Sequence, residues 1–230
     1  MGFNVNDFSV GSGVSKILEP GTHLCRIIDI QSSVTPFDPN KRQLTFLMEG
    51  KPESGNFTGI AIDKQDPSKG NYEGRIAYVR NGQYPFQDWD RNGKVIDADT
   101  NACNFLASLS TSLGVMDEMK KDPALQRDIN IDEFAIIAKK YLCDPDLWAY
   151  YTICGREKWT EGYNKPNYNM YFAKYADRKN YVSLKEDDVV PFDEEKHIVR
   201  VERGISVTTE TSEESVDTIE MPVNQDPFND

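Results

Sequence analysis

The sequence predicts a mainly β protein: a small closed barrel of five strands, helices inserted between the third and fourth, and a disordered acidic tail. Three observations carry this expectation. Short segments rich in β-branched and aromatic residues, set off by turn signals, occupy residues 21–82 and 146–177. Between them, residues 100–142 change to an apolar period of three and four. Residues 186–230 then hold 14 Asp or Glu against Lys196, Arg200 and Arg203.

Residues 1–20 are polar, contain Gly and Ser, and close on the turn signal Pro20-Gly21, so they read as a flexible N-terminal arm. THLCRIIDIQ (22–31) is the first expected strand, and RQLTFLMEG (42–50), ended by Gly50, the second. FTGIAID (57–63) is the third, with Gly59 marking a bulge or bend. YEGRIAYVRNG (72–82) continues the β character, and the aromatic stretch QYPFQDWDRNGKVIDAD follows as a loop.

In residues 100–115, Ala102, Phe105, Leu106, Leu109 and Leu113 recur at helical spacing, with Asp99 or Thr100 to cap the start and Gly114 to end it. NIDEFAIIAKKYL (130–142) is a second helix, with Asp132 as its cap. DLWAYYTICG (146–155) returns to β, REKWTEGYNKPNY is a charged and aromatic hairpin loop, and NMYFAKYAD (169–177) is a last strand. Three strands, helices and two strands is the order of the five-stranded OB-fold barrel. A β-sandwich leaves the mid-chain helical pattern without a place. The expected organisation is the arm (1–20), an OB-fold domain (21–203) with a helical elaboration (100–145), and the tail (204–230).

Of the net charge of −12, residues 186–230 carry −11, which leaves the first 185 residues at −1 with 23 bases among them. Acidity therefore belongs to the end of the chain, and a basic face on the body is compatible with it. From Gly204 to Asp230 there are seven acids, no Lys or Arg, and aliphatic residues without a period, a composition that cannot offset the entropy of ordering. No apolar run approaches a membrane span, and the N-terminus lacks a signal peptide's order, so a soluble, cytosolic protein is expected.

Cys25, Cys103, Cys143 and Cys154 are far apart, without a C-x-x-C pair, and His23 and His197 are remote from each other, so reduced thiols and no zinc are expected. No phosphate-binding loop, nucleophile elbow or H-E-x-x-H is present, and no cofactor or metal is called for. A two-metal nuclease would have to use Asp63, Asp66 and Asp88; their loop positions favour simple solvation.

What the sequence offers instead is aromatic residues interleaved with bases. One stretch holds Tyr78, Arg80, Tyr84, Phe86, Trp89, Arg91 and Lys94. Another holds Arg156, Lys158, Trp159, Tyr163, Lys165, Tyr168, Tyr171, Lys174, Tyr175, Arg178 and Lys179. Single-stranded nucleic acid is bound in this way: bases stack on rings while cations follow phosphates. The candidate DNA-binding set is Tyr78, Arg80, Trp89, Arg91, Arg156, Lys158, Trp159, Tyr163, Lys165, Tyr171, Lys174 and Tyr175. Trp148, Tyr151, Phe172 and Phe105 are expected in the core. Which face of the last strand points inward, that of Tyr171 and Tyr175 or that of Met170 and Phe172, is open from sequence.

EPGTHLCRIIDI followed by QLTFLMEG, the late pair LWAYYTICGREKWTEGYNKPNYNMYFAKY, and an acidic tail ending DPFND together resemble the phage single-stranded DNA-binding proteins, across residues 18–178 and the tail. The resemblance implies an OB-fold protein without catalytic activity that protects and organises single-stranded DNA in phage replication or recombination, in the cytoplasm of a bacterial host. It also implies that Asp226, Pro227 and Phe228 dock replication or recombination proteins, as the acidic-Pro-Phe tip of bacterial members does. Here Asn229 and Asp230 follow the Phe, so a pocket that reads a carboxylate on that Phe is unmatched and phage-encoded partners are favoured. The alternative is a virion-associated structural or cargo protein of a phage, without a role on DNA.

Overall fold

A computed structural model describes residues 18–51, 60–61, 72–73, 76–91, 93–159 and 166–202. In chain order the strands are β1 (Gly21–Thr35), β2 (Asp38–Gly50), β3 (Ile60–Ala61), β4 (Tyr72–Glu73), β5 (Ile76–Arg80), β6 (Trp89–Arg91) and β7 (Lys94–Ile96). The helices α1 (Ala98–Ser112), α2 (Met116–Met119) and α3 (Ile131–Leu142) come next, and then β8 (Ala149–Lys158), β9 (Asn167–Phe172) and β10 (Val182–Ser183). A short helix α4 (Glu194–His197) leads into β11 (Ile198–Val199).

Five of these strands close on themselves. β1 is antiparallel to β2, β2 to β5, β9 to β8, and β8 to β1, while β5 and β9 run parallel. The circuit β1-β2-β5-β9-β8, with β5 and β9 parallel and the helices lying between β5 and β8 in the chain, is the expected OB-type barrel. The third barrel strand is Ile76–Arg80 rather than 57–63: within the latter range, Ile60–Ala61 pairs with Tyr72–Glu73 in a separate ribbon. Alternation explains the choice, because Ala77 and Val79 bury while Tyr78 and Arg80 face out.

The same period of two fills the interior with Leu44, Phe46 and Met48 from β2, Tyr151 and Ile153 from β8, and Met170 and Phe172 from β9. In β1 it runs through Cys25 and Ile27, slips by one residue between Ile27 and Asp29, and resumes at Ile30. That slip is a bulge, which re-aims the strand as the barrel bends. Met170 and Phe172 pointing inward place Tyr171 outside. One end of the barrel is sealed by α1, whose Phe105 ring lies 5.4 Å from Tyr181, 5.7 Å from Phe86 and 6.0 Å from Phe46. Leu18, within the segment read as an arm, is also buried in this core.

Both long helices begin slightly differently from expectation. Asp97 caps α1 by accepting the Thr100 N–H at 2.7 Å. Asn130 caps α3 in a reciprocal box with Glu133. Asp99 and Asp132 fall instead in the first turns, where both meet Arg42 of β2, at 2.7 and 3.2 Å. One guanidinium thus ties two helix N-termini to the barrel. Gly114 ends α1 with φ of +75°, a conformation glycine adopts without strain. The loop expected at 83–99 contains the β6–β7 hairpin. Trp148 is not core: it is half-buried beneath Arg26, 5.2 Å from its ring, and Lys51, at 5.9 Å.

Residues 178–202 pack along β8. Val182 and Ser183 pair with Tyr151 and Tyr150, whereas Ile198 and Val199 run parallel to Gly155 and Arg156. The first half of β8 is therefore flanked by β1 and β10, and its second half by β11 and β9.

Candidate nucleic-acid interface

Because alternation sends Val79 and Met170 inward, their neighbours Arg80 and Tyr171 face outward, and the register sets them side by side. Tyr171 is in turn opposite Cys154 of β8, and Arg156 is opposite Asn169. The outer faces of β5, β9 and β8 form the floor of a groove of about 530 Å³. Arg80, Gly82 and Gln83 line one side, Asn169 and Tyr171 the floor, and Arg156, Glu157, Lys158, Trp159 and Val201 the other side.

The loop after β5 is fixed by Asn81, whose side chain accepts the Leu44 N–H at 3.0 Å while its own N–H donates to the Leu44 carbonyl at 3.0 Å. Gly82 and Gln83 are delivered to the groove by that double bond. Tyr84 follows, 68% exposed, and its hydroxyl accepts from the Gln83 amide at 3.3 Å.

Three cations line this groove. Among the described residues, no carboxylate lies within 4.0 Å of the side-chain nitrogens of Arg80, Arg156 or Lys158. Several cations elsewhere are bound to carboxylates: Arg26 to Glu49, Arg42 to two aspartates, Arg127 to Glu133, Lys139 to Asp29. Three unpaired cations around one groove make an anion-attracting surface on a chain of negative net charge. Burial pushes the Tyr171 hydroxyl up to about 12, aided by Cys154 and Tyr84 and opposed by Arg156. The phenol therefore stays neutral at physiological pH and adds no negative charge to the groove.

Five of the sequence-derived DNA-binding residues, Arg80, Arg156, Lys158, Trp159 and Tyr171, line this single groove. Tyr78, 60% exposed, is on the same outer face of β5. Trp89 and Arg91 belong to the β6–β7 hairpin, where the Trp89 indole donates to Asn101 of α1 at 3.1 Å, and Trp89 does not line the groove. Lys174 and Tyr175 are exposed beyond the end of β9 and do not line it either. Tyr163 and Lys165, and the docking residues Asp226, Pro227 and Phe228, lie outside the described residues. Of the carboxylates weighed for a nuclease, Asp88 accepts the Ala98 N–H at 2.8 Å, and Asp63 and Asp66 are outside the described residues.

Gln83, Asn169, Glu157 and Val201 join the site without having been singled out from sequence. Asn169 had a signal, being two residues from Tyr171 and hence on the same face of a strand. Val201 had none, because the contacts that hold it there are made by its backbone.

A comparison with known protein families, curated proteins and solved structures finds no match to this chain. The fold and the groove define the class reached here: a closed five-stranded barrel of OB type with a basic, aromatic groove on its outer face.

Proposed function

We propose that the protein binds single-stranded DNA without catalysing a reaction on it, protecting and organising the strand during phage replication or recombination in the host cytoplasm. The observation that carries this reading is the groove. Unpaired Arg80, Arg156 and Lys158 surround Tyr171 and Trp159, so phosphates and bases each have partners of the right kind within one cavity. The site uses strands β5 and β9 and the base of the hairpin between β8 and β9, a region where OB folds commonly hold oligonucleotides. The resemblance of the chain's ends and late strand pair to phage single-stranded DNA-binding proteins supports the same reading. The segment 204–230, with Asp226-Pro227-Phe228 near its end, is proposed to dock replication or recombination proteins.

The test is fluorescence titration of the three tryptophans with oligo-dT, together with a gel shift, in buffer without divalent metal. Quenching and a mobility shift, both weakened by salt, are expected. Unchanged emission and mobility at low salt, with folded protein, would sink the proposal in favour of a structural role without DNA. Magnesium-dependent cleavage of the oligonucleotide would replace it with a nuclease.

A further inference from the structure

Glu157 stands out in the groove. It is an acid lining a surface whose other charged groups are cations, and a carboxylate beside a polyanion opposes binding. Its contacts explain its presence. The Glu157 carboxylate accepts the Val201 N–H at 3.0 Å, and the Val201 carbonyl accepts the Trp159 Nε1–H at 2.7 Å. Both backbone groups of one residue are thus held by two side chains at alternate positions near the end of β8.

The ladder between Ile198–Val199 and Gly155–Arg156 brings this segment alongside, and it replaces β1 as the neighbour of β8 in that half of the strand. Gly155 keeps the passage narrow: a Cβ there would collide with the Pro20 ring and stand 2.9 Å from the ring of Tyr168.

We infer that Ile198–Glu202 is a strap belonging to the binding groove, in which Glu157 positions Val201 and Val201 orients the Trp159 indole against which a single strand packs. The inference rests on the single-strand-binding reading. A base stacks on the faces of an indole, so holding Trp159 by its N–H edge fixes the plane of a ring that lines the groove. Orienting the ring before the strand arrives reduces the entropy lost on binding. Glu157 is accordingly a positioning residue, and its charge is a cost offset by the order it imposes.

The test uses the full chain labelled with 5-fluorotryptophan, its three resonances assigned by Trp89→Phe, Trp148→Phe and Trp159→Phe. Glu157→Ala and Glu157→Gln are compared with the parent by fluorine NMR and by oligo-dT titration. Glu157→Ala is expected to shift or broaden the Trp159 resonance alone and to weaken binding about ten-fold, the scale of one stacked base. Glu157→Gln keeps an oxygen to accept the Val201 N–H and loses the charge, so it should hold the Trp159 resonance in place and bind more tightly than the parent. A Trp159 resonance unmoved in Glu157→Ala, or equal affinity in the two variants, overturns the inference. A parent that binds no oligo-dT, with Trp159 still released in Glu157→Ala, overturns the single-strand reading and leaves the strap as a purely structural clasp.

Discussion

Removing one groove cation should change the salt dependence of binding by a calculable amount. Each phosphate neutralised on a single strand contributes about −0.7 to the slope of log affinity against log salt. Arg80, Arg156 and Lys158, each without a carboxylate partner, give about −2 together. A four-fold rise in salt, from about 50 to about 200 mM, then weakens binding about eighteen-fold through these three groups alone. Cations outside the described residues, Lys165 among them, add to the total slope, so the decrement is the quantity to measure. Arg80→Ala should flatten the slope by about 0.7, and Arg156→Ala combined with Lys158→Ala by about 1.4. Tryptophan-quenching titrations with oligo-dT across that salt range read this directly. Arg127→Ala is the control, because its guanidinium is bound to Glu133 at 2.9 Å on the helical elaboration, and it should keep the parent's slope. An unchanged slope in Arg80→Ala, or equal flattening in Arg127→Ala, would refute the placement of the strand in this groove.

Tyr171→Ala should cost about 1–3 kcal/mol of oligo-dT affinity with thermal stability nearly kept, since the ring is only half-buried on the outer face; a protein that melts early yet binds normally would count against a stacking role. Gly155→Ala should lower stability by about 1–3 kcal/mol, because its Cβ runs into Pro20 and Tyr168, and an unchanged denaturation midpoint would contradict this packing. Burial holds the His23 imidazole below its usual 6.5, only partly offset by its bond to the Glu19 carbonyl, so the unfolded chain binds the proton more tightly. The stability this group contributes is complete above pH 6.5 and is lost as pH falls below it; melting temperatures taken downward from neutral should drop in the parent and drop less in His23→Gln. Ending the chain after Arg203 removes seven acids and no Lys or Arg, and should tighten oligo-dT binding most at low salt; equal affinity at every salt would rule out competition by that segment.

The barrel was legible because its signals are local. Alternation in RIAYVR and NMYFAK marks two strands with one apolar face each, and the change of period after residue 99 marks the helices. What sequence alone left open was settled by long-range pairing. FTGIAID and YEGRIAYVR both have β character, and only closure of the circuit through β2 and β9 selects the second. Trp148 reads as core because it precedes a strand of buried residues, yet it sits where two cations cover its ring. The caps slipped for a similar reason: Asp99 and Asp132 suit a helix start, but Arg42, far away in sequence, draws both into the first turn.

The interface divides along the same line. Arg80, Tyr171, Arg156 and Lys158 were legible as side chains of the right chemistry, and the barrel's register gathers them. The charged and turn-forming residues around Trp159 predict a hairpin loop. In the structure β8 runs on to Lys158, so Trp159 stands at a strand end, and its indole is bonded to a carbonyl 42 residues further along the chain. A backbone carbonyl leaves no mark in composition or spacing, and no reading of side chains would have found that contact. Its consequence concerns the whole C-terminal part of the protein. The segment that begins the acidic stretch is not merely appended to the barrel: through Val201 it forms a wall of the basic groove, and Glu202 is the last described residue before seven further acids. The described chain thus ends next to a residue of the basic groove, and ending it after Arg203 tests whether the acids beyond compete there with DNA in a salt-dependent way.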